Sequence, residues 1–451
     1  MQNKVLIANR GEIALRIIRA CKELGIHTVA VYSTADKDSL QVKFADEAIC
    51  IGSEQSSDSY LQMNRIISAA ISSGCNAIHP GYGFLSENDK FASIVEECNL
   101  IFIGPSSQVI ANLGNKAMAR KIAKQNHIPI IEGSDGAIDS AEEGMKLAGS
   151  IGYPVILKAL NGGGGRGMSI IWNDTEFPKL FQQTVMEAKA NFGDSLVYLE
   201  KYIENARHIE IQIIADKFGN VVHLGERDCS MQRRNQKVIE ESPSPIMTPL
   251  LRRNMGLCAV HLAKAVKYEN AGTVEFIVDK EGKYFFMEMN TRIQVEHPVT
   301  EMETGVDLVK EQLRIAFDNP LSIKQRDVHL KGHTIECRIN AEDTFNNFRP
   351  SPGLIKNIVF PGGNGVRLDT HIYNGYVVPS YYDSMLAKLI VHADTRKEAI
   401  RKMRVALEQF IIDGIITNID FLYVLMHNPE FVKGNYNTSF IQKLIKEVTN
   451  G

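Results

Sequence analysis

The chain has no CxxC, no apolar run of bilayer length and almost no net charge. Its seven cysteines, Cys21, Cys50, Cys75, Cys98, Cys229, Cys258 and Cys337, are scattered and odd in number. That argues for a reducing compartment and against a zinc site. The N-terminus runs Met-Gln-Asn-Lys into a short strand without a signal-peptide core. Nothing approaches the ~20 apolar residues that span a bilayer, so a cytoplasmic, non-membrane protein is expected. A net charge of −3 gives no case for binding nucleic acid. No GxGxxG follows the first strand-like run, which argues against nicotinamide binding, and no Gly-Lys-Ser/Thr closes a glycine loop, which excludes a Walker A site. What remains is ordinary for a soluble enzyme: 451 residues, 44% hydrophobic and 23% charged, a length suggesting about three domains.

The densest chemistry lies in Phe285-Phe286-Met287-Glu288-Met289-Asn290-Thr291-Arg292-Ile293-Gln294-Val295-Glu296-His297. Residues 272–278 read as the preceding strand and 279–282 as a turn. With that turn, Glu288 lies opposite Thr273. Alternation puts Thr273, Glu275 and Ile277 on one face with Tyr284, Phe286, Glu288, Asn290 and Arg292, and makes Glu275 and Glu288 diagonal neighbours. Two carboxylates and an amide so placed repel unless a cation sits between them, and Mg²⁺ takes such oxygen ligands together with substrate phosphates. The pattern reads as a metal–nucleotide site with Arg292 ready for an anion, or as a polar, exposed hairpin face.

The rest of the chain supplies the context. Lys4-Val5-Leu6-Ile7-Ala8 reads as a buried strand, and Asn9-Arg10-Gly11-Glu12 turns it into a helix with Ile13, Ile17, Ile18, Cys21 and Leu24 on one face. Residues 28–32 form the next strand. This βαβ spacing predicts a parallel sheet. Residues 76–79 run into a glycine-rich loop ending at Asn88, where open α/β sheets bind ligands. This unit ends near Gly114. Helices follow over 117–125 and 141–149. A strand over 153–159 carries Lys158 into Asn161-Gly162-Gly163-Gly164-Gly165-Arg166-Gly167-Met168. Consecutive glycines free the backbone to close on phosphates, and Lys158 on an apolar strand needs a charge partner. The competing reading is a flexible surface hairpin. Residues 207–215 alternate as a strand with one wet face does. Residues 226–237 read as a polar loop, which by itself suggests a solvated charge run. Past Pro320 the chain becomes α+β, with strands over 333–342 and 383–392 and a helix over 396–410.

A lysine on a strand, a glycine loop, the Glu200-Lys201-Tyr202 strand and the Glu275…Glu288-Met289-Asn290 hairpin resemble the ATP-grasp superfamily. More narrowly, Ala8-Asn9-Arg10-Gly11-Glu12-Ile13-Ala14, His79-Pro80-Gly81-Tyr82-Gly83-Phe84-Leu85-Ser86-Glu87-Asn88 and the runs 162–168, 226–234 and 288–300 resemble the biotin carboxylase family, in order and over essentially the whole chain. The resemblance implies an α/β and α+β fold in three domains. These are an N-terminal parallel-sheet βαβ domain over 1–114, a central ATP-grasp domain over 115–325 with a mobile glycine-rich lid near 131–203, and a C-terminal α+β domain over 326–451.

It also implies the site. Lys116, Lys158 and the backbone of Gly164 and Gly165 would hold ATP phosphates. Glu200, Lys201, Tyr202 and Ile203 would meet the adenine, with His208, Gln232 and Asn235 also on the nucleotide. Glu275, Glu288 and Asn290 would hold Mg²⁺ or Mn²⁺. Lys237, Arg292, Gln294 and the Val295 backbone would bind bicarbonate, Glu296 would be the base, and Arg338 would face biotin with Tyr82 nearby. The implied reaction passes through carboxyphosphate to N1-carboxybiotin, the first half-reaction of acetyl-CoA carboxylase and the first committed step of fatty acid synthesis. Where the family commonly has Arg-Arg-His-Gln-Lys, this chain has Asn235 for the histidine, and asparagine cannot carry charge. No Ala-Met-Lys-Met biotin attachment sequence is present. Biotin is therefore expected on a separate carrier protein, with separate carboxyltransferase subunits. Arg19, Glu23 and Arg367 match positions the family uses to form homodimers. The alternatives are another ATP-grasp carboxylate ligase, an inactive homologue, or the biotin carboxylase component of pyruvate carboxylase or another acyl-CoA carboxylase.

Overall fold

Lys4–Ile7 pairs in parallel with His27–Ser33, and helix Gly11–Glu23 crosses between them. A parallel pair needs such a crossover. Ile13, Ile17, Ile18 and Cys21 bury the helix against this layer. Ala77–His79, Ile101–Phe102 and the edge strand Glu47–Gly52 complete a five-stranded parallel sheet. This computed structural model describes residues 3–160 and 167–450. Within them no helix is long and apolar enough to cross a membrane, and all seven cysteines are free.

The larger layer is an eight-stranded antiparallel sheet. Its spatial order is Tyr284–Asn290, Asn270–Val278, Arg207–Ala215, Val221–Arg233, Gln236–Ser242, His333–Asn340, Met385–Ala393 and Val366–Thr370. The sheet is continuous across the change of character at Pro320. One face is apolar. Ile209, Ile211 and Ile213 pack on helix Pro249–Ala265, and Ile335, Cys337, Ile339 and Leu389 pack on helix Arg396–Gln409. The other face carries His208, Glu210, Gln212, Glu240, Glu336, Arg338 and Lys388, all in register across neighbouring strands. Helix His297–Thr304 and the first helix cover part of it. A smaller unit stands apart: the three-stranded sheet Met168–Ile171, Val155–Ala159 and Val197–Lys201, with helices Ala141–Ile151 and Phe177–Phe192 and its own core.

Three sequence readings are corrected here. Arg207–Ala215 has no wet face, since all nine residues are buried. The presumed loop over 226–237 is mostly strand: Val221–Arg233 turns at Arg234 and Asn235 into Gln236–Ser242. Glu226, Arg227 and Asp228 are at most 1% exposed, because each is matched by an opposite charge. Third, the central hairpin has a different register. Thr273 faces Asn290 and Glu275 faces Glu288 directly, while Phe276 faces Phe286. Met287 is therefore an extra residue, a β-bulge. It shifts parity, so Phe286 lies in the core with Phe276 and Met289 rather than on the Glu288 face.

Candidate active site

The charged face is organised around one ammonium. Lys237 Nζ lies 2.6 Å from Glu210, 3.1 Å from Glu275 and 2.6 Å from Glu296. Burial opposes its charge, but Cys229, Glu210, Glu275 and Glu296 around it more than reverse that and raise its pKa well above the ordinary lysine value. Glu296 passes the chain on: its other oxygen accepts from Arg338 Nη2 at 2.9 Å, and Arg338 Nε donates to Glu240 at 2.7 Å. Burial would raise the Glu296 pKa, yet Lys237, Arg338 and Arg227 hold it far below the usual carboxylate range.

At the hairpin, Glu275 Oε1 accepts from Asn290 at 2.7 Å and Gln294 at 3.0 Å, and Oε2 lies 2.9 Å from His208 Nε2. Burial raises its pKa, and Lys237 and His208 overcome that and leave it ionised. Glu288 is the contrasting carboxylate. Burial and the facing Glu275 raise its pKa, and Lys116, 3.9 Å away, compensates only in part. His208, Glu210 and Glu275 have ligand atoms within 4.8 Å of one another, but the Lys237 ammonium already lies among these carboxylates. The side short of positive charge is Glu288. Glu275, Glu288 and Asn290 therefore fit a hard dication with oxygen preference.

Arg292 reaches Glu87 at 2.8 Å, Gln294 Oε1 at 3.0 Å and Asn290 Oδ1 at 3.2 Å. The Val295 carbonyl accepts from the fully buried Lys388 at 2.9 Å. Tyr82 donates to Glu12, which pairs with the same Lys388 at 3.0 Å. On the small unit, Lys158 pairs closely with Glu200, which also takes Arg120 at 3.1 Å. Lys201 turns its ammonium away, onto the Gly152 and Tyr153 carbonyls. The Tyr202 ring meets Trp172 edge-on, and half-buried Ile203 follows. Gln232 pairs in register with Lys237. Asn235 sits at the hairpin tip with φ +64, beside Arg234 with φ +48. Two positive φ values are what a two-residue type I′ turn requires, and asparagine tolerates them well. Gly164 and Gly165 fall outside the described residues.

The structure adds members that the sequence reading did not assign. They are Glu210, Glu240, Glu336, Lys388, Glu87, Glu12 and Arg120. Parity offered a signal for some of these: Glu210 alternates with His208 on a strand next to the one carrying Glu275. The others come together only through strand pairing distant in sequence.

The biotin carboxylase N-terminal domain family matches residues 1–110, the ATP-binding domain family of the carbamoyl-phosphate synthase L chain matches 115–324, and the biotin carboxylase C-terminal domain family matches 336–443. The chain is 56% identical to biotin carboxylase 1 of Bacillus subtilis over 443 residues, 98% of each chain. The chain belongs to the biotin carboxylase family. Its reaction, as in that family, is ATP-dependent carboxylation of biotin. The fold agrees. A biotin carboxylase from Campylobacter jejuni, solved as a β,γ-ATP complex, superposes with a TM-score of 0.96 at 49% identity, covering 98% of this chain and 99% of that one. The biotin carboxylase domain dimer of the Hydrogenobacter thermophilus 2-oxoglutarate carboxylase, solved with MgADP, ADP and bicarbonate, gives 0.96 at 49% identity with 98% of each chain covered.

Proposed function

We propose that the charged face runs both steps of biotin carboxylation, with the following roles. ATP lies between the small unit and the large sheet, its phosphates toward Lys116, Lys158, Gly164 and Gly165, its base toward Glu200, Lys201, Tyr202 and Ile203, with His208, Gln232 and Asn235 lining the nucleotide. Glu275, Glu288 and Asn290 hold Mg²⁺ or Mn²⁺, which when bound neutralises charge on the transferred phosphoryl group. Arg292, Gln294, Lys237 and the Val295 backbone take bicarbonate. Glu296 removes its proton, and the resulting carbonate oxygen attacks the γ-phosphorus, releasing ADP and leaving carboxyphosphate. That breaks to CO₂ and phosphate, the phosphate takes the N1 proton of biotin, and N1 attacks CO₂ while Arg338 faces the ureido oxygen, with Tyr82 nearby.

Glu296 is a poor base while Lys237 and Arg338 both hold it. Anionic substrates drawing those cations away raise its basicity where the proton must be taken. The observation that carries the reading is the unbroken ion-pair chain from Glu275 through Lys237 and Glu296 to Arg338. It links the metal hairpin to the distant strand in one pocket.

The same reading gives three units over 1–114, 115–325 and 326–451, a cytoplasmic homodimer using Arg19, Glu23 and Arg367, and biotin on a separate carrier protein. Carboxyltransferase subunits then use the product in acetyl-CoA carboxylation. The test is ATP hydrolysis with Mg²⁺ and bicarbonate, with and without free biotin. Bicarbonate-dependent stimulation by biotin is the expected result. Hydrolysis indifferent to biotin would overturn the role assignments at the Arg338 end.

A further inference from the structure

Arg338 is held from two sides by two carboxylates, and only one of them faces the rest of the site. Glu296 takes the Nη2 edge at 2.9 Å and is shared with Lys237. Glu240, fully buried on the neighbouring strand Gln236–Ser242, takes the Nε side, its Oε1 lying 2.7 Å from Nε and 2.5 Å from Nη2. Its second oxygen, Oε2, is buried without a hydrogen-bond partner, as are both oxygens of Glu336. Glu240 and Glu336 face each other directly in the strand pairing, and Arg338 follows Glu336 by two residues on the same face. One guanidinium thus sits beside three buried carboxyl groups.

We propose that Glu240 is a positioning residue for the biotin step: it holds Arg338 from the Nε side, through Nε and Nη2, so that the contact Nη2 makes with Glu296 can pass to the substrate without the guanidinium turning. The inference rests on the role given to Arg338 above. Without an anchor, a guanidinium that releases Glu296 has a long, flexible stem and no fixed direction. With one, the planar fork swaps a single partner and keeps its orientation.

The surroundings make the anchor sensitive to protonation. The groups around Glu240 are Arg338, Glu336 and Cys337 on one neighbouring strand, Cys229 on the other, Lys237 on its own strand, Glu296 at the covering helix, and Lys388 beyond Glu336. Burial pushes the Glu240 carboxyl up to about 7, with Glu296 adding to the rise and Arg338 and Lys237 opposing it. Burial and Glu240 also push Glu336 well above the ordinary carboxylate value, against Lys388 and Arg338. Glu240, at about 7, is the carboxyl placed to change charge near neutral pH.

The readout is the ratio of biotin-stimulated to biotin-independent ATP hydrolysis, both bicarbonate-dependent, in wild type, Glu240→Ala, Glu240→Gln and Arg338→Ala. Glu240→Ala should lower the ratio about 10-fold or more, the scale of a misplaced reacting group. Glu240→Gln still accepts from Nε but carries no charge, so it should recover part of the ratio, to the level wild type shows below about pH 7. The wild-type ratio should rise with pH through about 7 as Glu240 ionises, and the Gln variant should lose that rise. If Glu240→Ala lowers both activities equally, or if Gln behaves as Ala, Glu240 is structural only and the inference falls. If Glu240→Ala fails to fold, the pH profile of the Gln variant decides alone. An unimpaired Arg338→Ala would remove the role of Arg338 and this inference with it. An impaired Arg338→Ala beside an unimpaired Glu240→Ala would remove this inference only.

Discussion

Glu240 and Glu241 are consecutive on one strand, both are buried, and their carboxyls behave in opposite ways. Glu240 points to the charged face, holds one guanidinium edge and is pushed up to about 7. Glu241 points to the reverse face. There His333 lies at 2.6 Å, Arg396 donates twice at 2.7 and 3.0 Å, and Tyr436 donates as well. Burial raises the Glu241 pKa too, but His333 and Arg396 bring it down to about 2. Both carboxyls are buried, so what differs is the surroundings: His333, Arg396 and Tyr436 donate to Glu241, whereas Glu240 has Arg338 opposed by Glu296. The reverse face satisfies its charges and holds the fold. The site face leaves some buried carboxyl oxygens, on Glu240 and Glu336, without a donor.

The largest effect expected on the reverse face comes from Arg396→Ala. It strips the two Arg396 donors from a buried carboxylate, leaving His333 and Tyr436, and should cost about 3–5 kcal/mol, read as a shift in denaturant midpoint, with the biotin-dependent rate per folded molecule kept. The counterpart is Glu296→Gln. It should lower biotin-dependent turnover ~10²–10³-fold while moving the midpoint less than Arg396→Ala does. If both variants lost stability and turnover alike, the division between faces would fail.

The acid limb sharpens the comparison. The folded Glu241 carboxyl lies near 2 against an ordinary 4.5. Its contribution is therefore present above 4.5 and lost as pH falls toward 2. It amounts to about 3 kcal/mol, and Glu241→Gln should flatten unfolding free energy across that window. The smallest effect is expected at the exposed Lys217–Asp318 pair, 2.6 Å apart with side chains 39% and 73% exposed. Lys217→Ala should move the midpoint by less than about 1 kcal/mol.

The same division explains what the sequence could show. The N-terminal βαβ unit was legible because its apolar spacing is that of a helix on a sheet. The Glu275–Glu288 pairing was legible as shared parity but not as register, since nothing in the residues marks Met287 as an extra one. The run 226–237 misled, because a dense run of charged and polar residues normally means a solvated loop. Here Arg227 is enclosed by Glu210, Gln212, Thr273 and Thr300, partners brought by other strands and a helix. Asn235 had only its family departure to recommend it, whereas the structure gives it a backbone reason at the turn.

The bulge at Met287 bears on how this hairpin can change in length. Ahead of it the return strand matches Phe286 to Phe276, and after it Glu288 to Glu275. Deleting that one codon would close the bulge and leave Glu288 opposite Glu275 and Met289 opposite Val274 in an ordinary ladder. A one-residue deletion between Glu288 and Asn290 has no such slack. It moves each later residue of the strand to the other face and should cost both fold and activity. The tip at Asp279 and Gly282, closed by its own hydrogen bonds and capped by the Asp279 side chain, is free of that constraint. Insertions and deletions surviving in this hairpin should therefore cluster at its tip or at Met287, with the spacing from Glu288 to Glu296 unchanged.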